Sequence, residues 1–366
     1  MSRRAPSDNR EVDPREAGWM RRAVAVAAGS QPHPNPRVGA VVLSPQWDEM
    51  GAGHHEGPGS AHAEVVALGR AGAAAAGSTV VTTLEPCSHH GRTPPCTDAL
   101  IAAGVARVIV GAVDPDIQVA GSGIATLRDA GVDVVVGVAE SEVVEADPGY
   151  FHHRRTGLAR FRLKLAATLD GQLAAADGTS QWITSAAARQ DGHRLRAAAD
   201  AVVVGAGTLR TDDPLLDVRL QGFKGRQPRP VIISGRQPLP SERHVYERNP
   251  IIYSPHPIET RCADVVIAAG ASGVDLLTVA KDLAARGILE VLVDGGPRLA
   301  SSLIEADLVD EITLYFGAKL AAGTGMAMVS GVFATLGDAV SVEISDVSRH
   351  GSSLRVDAKT MRTGSA

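Results

Sequence analysis

Short runs of valine, isoleucine and alanine recur along this chain, and each is followed by a segment with helical spacing. VGAVVL (38–43), STVVTTL (78–84), RVIVGAV (107–113) and VDVVVGV (132–138) are almost continuously apolar or β-branched. A strand of that kind has to be covered on both faces, which places it in a parallel or mixed sheet with helices on either side. The helices are supplied by AHAEVVALGRAG (61–72), TDALIAAG (97–104) and SGIATLRDAG (122–131). Asp13-Pro14 offers an N-cap followed by proline at the first helical position, opening a helix that stops at Gly29. QPHPNPR (31–37) cannot continue it, because three prolines remove donors and fix φ.

A charged, polar stretch over 139–158 interrupts the alternation, which then restarts. The boundary falls near residue 157 and predicts two domains, 1–157 and 158–366. In the second, FRLKLAATL (161–169), AVVVG (201–205), PVIIS (230–234), ADVVIAA (263–269) and ILEVLVDGG (288–296) read as strands. Helices are expected at 185–199, at 274–286 and from Pro297. EITLYFGAKL (311–320) and the alternating SVEIS and SLRVDAK near the end read as antiparallel strands. A length of 366 residues agrees with two domains of roughly 100–200 residues each. The fold class is α/β, in two tandem units.

Composition excludes several partners. The net charge is −5 and aromatics are 3%, which argues against nucleic acid, whether bound by a basic surface or by stacking. No run approaches the roughly 18 apolar residues of a membrane span. Residues 1–12 read as a polar, disordered tail rather than a secretory signal. Three cysteines make no disulfide framework and point to a reducing, cytoplasmic compartment.

Two of those cysteines have company. His62-Ala63-Glu64, Pro86-Cys87 and Cys96 combine one imidazole with two thiols, a donor set that favours zinc. Three protein ligands leave a fourth position for water, as in catalytic rather than structural sites, and zinc lowers the pKa of that water toward roughly 7. His62 opens one predicted helix and Cys96 precedes another, where the helix dipole favours thiolate. Glu64 is suited to take a proton from the water and pass it to a leaving amine. A lone His-x-Glu is common, and a buried Cys is more often an inert core residue. It is the set, in this order, that matches the zinc nucleobase-deaminase signature. Eight residues separate Cys87 from Cys96, more than in the generic signature. Cys262 has no such neighbours and reads as structural. His54 and His89 read as loop surface, His55 and His90 as candidate substrate contacts.

In the second half no GxGxxG follows a strand, so a Rossmann dinucleotide site is not supported. VGAGT (204–208) is glycine-rich after a strand, and Gly295 and Gly296 precede the helix at Pro297, which suits a phosphate at a helix N-terminus.

NPRVG (35–39), HAEV (62–65), LEPCSHHGRTPPCTDALIAAG (84–104) and DPD…VAGSGI (114–124) resemble the bifunctional deaminase–reductase family of riboflavin biosynthesis, the RibD family. KLAATLDGQLA (164–174), SQWIT (180–184), RLRAAADAVVVGAGTLRTDDPLLDVR (194–219) and LVDGGPRLASSLIEADLVDE (292–311) extend the resemblance over nearly the whole chain. The long Cys87–Cys96 loop is the expected one in that family.

The resemblance implies a cytidine-deaminase-like N-terminal domain and a dihydrofolate-reductase-like C-terminal domain. It implies zinc-dependent hydrolytic deamination of 2,5-diamino-6-(5-phosphoribosylamino)pyrimidin-4(3H)-one, then NADPH-dependent reduction of the ribosyl to a ribityl chain. It gives His62, Cys87 and Cys96 to zinc and Glu64 to catalysis. Asn35 and Arg37 would hold the substrate of the first reaction. Ala166, Trp182, Thr208, Asp212, Ser234, Gly295 and Gly296 would line the NADPH site. Ser180, Arg196, Leu216, Arg219 and Asp294 would face the phosphoribosyl substrate of the second. Asp294 stands where family members often carry Glu, keeping the charge but shortening the reach. A homo-oligomer, with a dimer favoured, is the expected assembly. Two other readings are a different nucleobase deaminase fused to a reductase, and a non-catalytic zinc-stabilised binding module.

Overall fold

Asp13 caps the first helix through its carboxylate, which accepts the Arg15 N–H at 2.8 Å, with Pro14 at the first helical position. The computed structural model describes residues 13–90, 94–116, 119–271, 273–323, 325–329 and 333–361. Residues 1–12, read as a tail, lie outside them. The chain divides into two compact units, Met1–Gly157 and Leu158–Ala366.

The first unit runs α1 (Pro14–Ala27), β1 (Gly39–Leu43), β2 (Glu49–His54), α2 (Ala63–Ala71), β3 (Thr79–Leu84), α3 (Cys96–Ala102), β4 (Arg107–Ala112), α4 (Ser122–Asp129), β5 (Asp133–Val136), α5 (Glu140–Ala146) and α6 (Pro148–Thr156). Its strands form one sheet in the order β2-β1-β3-β4-β5, antiparallel across β2-β1-β3 and parallel from β3 onward. Val41, Val42, Val80, Val81, Val108 and Ile109 are fully buried, as continuous apolar strands require. Two departures from the sequence reading occur here. GAGH contributes to a strand that glycine content hides, since glycine disfavours strands. The polar stretch 139–158 holds two short helices, α5 and α6, rather than a plain connection.

Glycine in β2 has a packing reason. A Cβ on Gly53 would lie 2.7 Å from the Ala63 carbonyl oxygen and the Ala67 nitrogen, and one on Gly51 would lie 2.5 Å from the Ala67 carbonyl oxygen. Helix α2 therefore rests directly on the strand backbone. Gly69, on the exposed face of the same helix, has no atom within 4 Å of such a Cβ.

The second unit runs β6 (Arg160–Thr168), β7 (Gln172–Ala174), α7 (Ala186–Ala198), β8 (Ala201–Gly205), α8 (Ala206–Asp212), β9 (Arg229–Ile233), β10 (Ile251–Ser254), β11 (Val265–Ile267), α9 (Leu276–Ala285), β12 (Glu290–Val293), α10 (Pro297–Glu305), β13 (Val309–Gly317), β14 (Met326–Ala327), β15 (Val342–His350) and β16 (Ser353–Thr360). Nine strands form one sheet in the order β11-β10-β9-β8-β12-β6-β13-β16-β15. From β11 to β13 every neighbouring pair is parallel. The segment read as antiparallel from EITLYFGAKL is so only toward β16; toward β6 it is parallel. Two apolar clusters cover the sheet. Phe161, Leu163, Tyr253, Val279 and Leu303 belong to one, and Leu195, Leu209, Leu216, Ile232 and Tyr246 to the other.

The register aligns the carboxyl ends of β8 and β9, where Gly205 pairs with Ile233, and β12 ends two residues earlier, Val293 pairing with Val203 and with Leu163 inside β6. Residues just past those ends share one edge of the sheet, where open α/β folds bind ligands.

Gly53→Ala is expected to destabilise the first unit by about 1–3 kcal/mol through overpacking. Gly69→Ala is expected to stabilise it by up to about 1 kcal/mol, the helix-propensity difference. Urea melts followed by circular dichroism check both, and equal effects would show that the α2–β2 contact is not tight.

Candidate active sites

Helix starts bring the first site together. His62 is the N-cap of α2, Glu64 lies in its first turn, and Cys96 is the first residue of α3. Cys87 follows β3 by way of Pro86. Its sulfur stands 3.4 Å from the Cys96 main-chain nitrogen, and its carbonyl accepts the Thr97 N–H at 3.2 Å. His62 Nδ1 lies 3.1 Å from Cys96 Sγ and 3.5 Å from Cys87 Sγ. The donor atoms of His62, Cys87 and Cys96 all lie within 4.8 Å of one another. Zn–S and Zn–N bonds of about 2.3 and 2.0–2.1 Å give a tetrahedral N···S edge of about 3.5 Å. The observed spacings fit that edge, and the donor set is one zinc prefers.

The electrostatics agree with a site that holds a cation. The hydrogen bond from Cys96 pulls the Cys87 thiol down to about 4, and donating that bond, together with burial, pushes Cys96 up. His62 is raised, first by its bond to Cys87. Glu64 is buried, and desolvation raises its carboxyl above the usual range. Its Oε2 stands 3.5 Å from Cys96 Sγ.

Asn35 reaches the same place. Its Nδ2 lies 2.8 Å from His55 Nε2, and the His55 ring meets the His62 ring edge-on at 5.3 Å. Burial lowers the His55 pKa. His89 and His90 stay exposed. The Arg37 guanidinium braces the turn: Nε donates to the Ser30 carbonyl at 3.1 Å and Nη1 to the Ala146 carbonyl at 2.9 Å.

Sequence reasoning passed over Glu85. Its buried carboxylate accepts main-chain N–H groups from Asp114, Gly121, Gly123 and Ile124, tying the start of α4 to the strand end before Cys87. A Cβ on Gly123 would lie 1.8 Å from the Pro86 carbonyl oxygen, so that packing demands glycine. An acid ending a buried strand was the available signal.

In the second unit Asp294 follows β12, and its N–H donates to the Val203 carbonyl at 2.9 Å. Its carboxylate accepts Arg196 Nη2 at 2.6 Å and Lys164 Nζ at 3.2 Å. Burial alone would raise Asp294, but Lys164 and Arg196 outweigh it and hold the carboxyl well below the usual range. Arg196 Nη1 also donates to the Asp217 carbonyl at 3.1 Å, Arg219 pairs with the Asp217 carboxylate, and the Arg219 N–H meets His193 Nδ1 at 3.3 Å. Lys164 was missed, although a cation alternating with buried apolar residues inside the strand was a visible signal. Leu216 is 1% exposed, at φ 54°, with its side chain in the core. Any substrate contact there falls to its main chain.

Thr208 lies in α8, whose N-cap is Gly205, and Gly296 is the N-cap of α10. Neither cap supplies a side-chain bond, and a Cβ on Gly296 would stand 3.9 Å from Thr208 Oγ1. Open helix starts lined by glycine fit a phosphate-bearing dinucleotide. Ser234 follows β9 at the same sheet edge, buried, its hydroxyl toward the Gly235 carbonyl. Ala166 is half-buried in β6. Asp212 and Ser180 are exposed. Trp182 is exposed too, with the Arg189 guanidinium 4.3 Å from its ring centre.

A zinc-fitting His/Cys/Cys cluster beside a buried glutamate, followed in the same chain by a parallel sheet with glycine-lined helix starts, defines a bifunctional deaminase–reductase. Comparison with known proteins agrees over both units. The family described as "Cytidine and deoxycytidylate deaminase zinc-binding region" matches residues 14–112, and "RibD C-terminal domain" matches residues 160–347. Riboflavin biosynthesis protein RibD of Escherichia coli is 40% identical over 321 residues, covering 82% of this chain and 87% of that protein. RibD of Mycobacterium tuberculosis is 42% identical over 298 residues, covering 80% and 81%. The structure of Acinetobacter baumannii RibD superposes with a TM-score of 0.86 at 32% identity, covering 95% of this chain and 99% of that one. A Thermotoga maritima diaminohydroxyphosphoribosylaminopyrimidine deaminase/5-amino-6-(5-phosphoribosylamino)uracil reductase superposes with a TM-score of 0.86 at 31% identity, covering 94% and 99%. This chain belongs to the RibD family of riboflavin biosynthesis, with a zinc-binding deaminase domain and a reductase domain.

Asp294→Asn is expected to cost the second unit about 1–3 kcal/mol, the scale of hydrogen bonds to charged groups. Because the folded carboxyl is held low, its stabilisation is complete above the unfolded value of about 3.9 and fades as pH falls through the folded one. Urea melts at pH 7 and pH 3 should show a smaller difference from wild type at pH 3; a constant difference would exclude the charge as its source.

Proposed function

We propose that residues 1–157 hydrolyse the 2-amino group of 2,5-diamino-6-(5-phosphoribosylamino)pyrimidin-4(3H)-one, and that residues 158–366 then reduce the ribosyl chain to ribityl with NADPH. The observation that carries the first half is the buried Glu64 carboxyl, 3.5 Å from one of three converging zinc donors. His62, Cys87 and Cys96 would hold zinc, which when bound would supply an acidified water. Glu64, raised by burial, would take a proton from the attacking water and deliver it to the departing amine, so that water and an amino-pyrimidine become a carbonyl and ammonia. Asn35 orients the heterocycle edge, and Arg37 keeps the turn in shape.

In the reductase, NADPH supplies the hydride. Thr208, Gly295 and Gly296 receive its phosphates, with Ala166, Trp182, Asp212 and Ser234 completing the site. Arg196, Arg219 and Ser180 bind the phosphoribosyl substrate, with the Leu216 main chain beside them. Asp294 holds Arg196 and Lys164 in register.

The partner is thus a small phosphorylated molecule rather than nucleic acid or membrane, in keeping with the net charge of −5. Among the described residues no helix is long and apolar enough to cross a membrane. A cytoplasmic site is supported by three unpaired cysteines. A homodimer is supported by the edge strand β15, whose Val342, Ile344 and Val347 are exposed.

Cys87→Ser and Cys96→Ser are each expected to lose the zinc that wild type holds at about one ion per chain, read by metal analysis of purified protein. Full retention in both would overturn the ligand set. Glu64→Gln should keep zinc yet release ammonia at least about 100-fold more slowly, the low end of general acid–base contributions. It should still consume NADPH when given the deaminated intermediate. Wild-type ammonia release from Glu64→Gln would put the proton carrier elsewhere.

A further inference from the structure

The turn carrying Asn35 has few main-chain bonds available to hold it. Pro32, Pro34 and Pro36 alternate with Gln31, His33, Asn35 and Arg37, so every second residue lacks an N–H, and no strand or helix ladder can run through the segment. Two short bonds lie inside the region. Asn35 N–H donates to the Pro32 carbonyl at 3.1 Å, and Arg37 Nε donates to the Ser30 carbonyl at 3.1 Å.

Support from outside the turn comes from a carboxylate 110 residues beyond Arg37. Asp147, at the junction of α5 and α6, has a side chain only 3% exposed. Its Oδ1 lies 2.8 Å from His33 Nε2, and its Oδ2 accepts the Arg37 main-chain N–H at 2.7 Å. These contacts grip the chain two residues before Asn35 and two residues after it. The neighbouring Ala146 carbonyl accepts Arg37 Nη1 at 2.9 Å. The His33 side chain is itself 2% exposed, so water does not compete for the contact. Hydrogen bonds to a water-excluded carboxylate are among the strong ones.

We propose that Asp147 is a positioning residue for substrate recognition in the deaminase: it clamps residues 33–37 so that the Asn35 amide meets the substrate already in place. The proposal rests on the reading of Asn35 as a substrate contact. Asp147 is not among the zinc donors, and its carboxylate meets His33 and the Arg37 N–H. His62, Glu64 and Cys96 are held by α2 and α3, and Cys87 by the loop after β3, so the clamp leaves them in position. Without the clamp the turn is ordered only when substrate arrives, and that ordering is drawn from binding energy. The loss therefore falls on KM and not on kcat.

The test is steady-state ammonia release by the full-length zinc enzyme. Asp147→Asn keeps the side chain's size but leaves one acceptor for two partners. KM for the pyrimidine is expected to rise about ten-fold, the scale of one charge-assisted hydrogen bond, with kcat within about two-fold of wild type. Zinc content and NADPH consumption with the deaminated intermediate should not change. His33→Ala removes the Oδ1 contact but leaves the Oδ2 contact to the Arg37 N–H, and should raise KM less, and combining the two should add less than the sum of their effects. If Asp147→Asn does not fold, His33→Ala decides alone. Loss of kcat at unchanged KM would mark a purely structural residue and overturn the proposal. Asn35→Ala separates the two ideas: unchanged KM there overturns the reading of Asn35 itself, whereas a raised KM there with wild-type KM in Asp147→Asn and His33→Ala overturns the clamp alone.

Discussion

A helix lying on bare glycine backbone determines where the deaminase chemistry can happen. Gly51 and Gly53 let α2 approach β2 so closely that a methyl group on either would collide with the helix main chain. Because α2 sits there, His62 at its N-cap and Glu64 in its first turn face the start of α3 and the loop after β3. The imidazole, the two thiols and the acid are thus brought together by backbone packing, not by attraction among themselves. Burial raises the Glu64 carboxyl, and the bond to Cys87 followed by burial raises the Cys96 thiol, so neither acid is drawn into the cluster by its own charge.

The same logic governs the surrounding carboxylates. Glu85 is buried and takes its compensation from main-chain N–H groups of four residues. Asp147 takes its own from one N–H and one imidazole, and Asp294 from two cations. Each joins elements distant in sequence, and each sits beside a segment that function requires. Buried charge is costly when unmatched, so these contacts hold one arrangement against the alternatives more than they add to net stability.

What could be read from the chain follows from this. The α/β alternation was legible because continuous valine runs have no other stable setting. The zinc donors were legible because His62, Cys87 and Cys96 lie within 35 residues, in an order that carries chemistry. β2 was not, because glycine carries no strand signal and its reason lies in the helix above it. α5 and α6 were hidden by polar composition. The partnerships His33–Asp147 and Lys164–Asp294 span 114 and 130 residues, and no local pattern announces them. Leu216 shows the limit from the other side. It stands inside a strongly matching block, yet a positive φ carries its side chain into the core. The Arg37 guanidinium likewise braces the Ser30 and Ala146 carbonyls, a role no local pattern announces.

An acidic chain that handles phosphorylated compounds must create attraction locally, and the reductase edge shows how. The parallel strands β8, β9 and β12 end within two residues of one another in register, so the residues that follow them gather without any basic surface. Helix starts at Gly205 and Gly296 leave main-chain donors open. Arg196 and Lys164 could supply positive charge, but Asp294 lies between them and neutralises part of it. That neutralisation has a use. Two cations facing an empty cleft would repel each other and bind any passing anion, whereas cations tied to a shared carboxylate keep fixed directions. Recognition then depends on a ligand matching donors already in position, a requirement that raw charge would not impose.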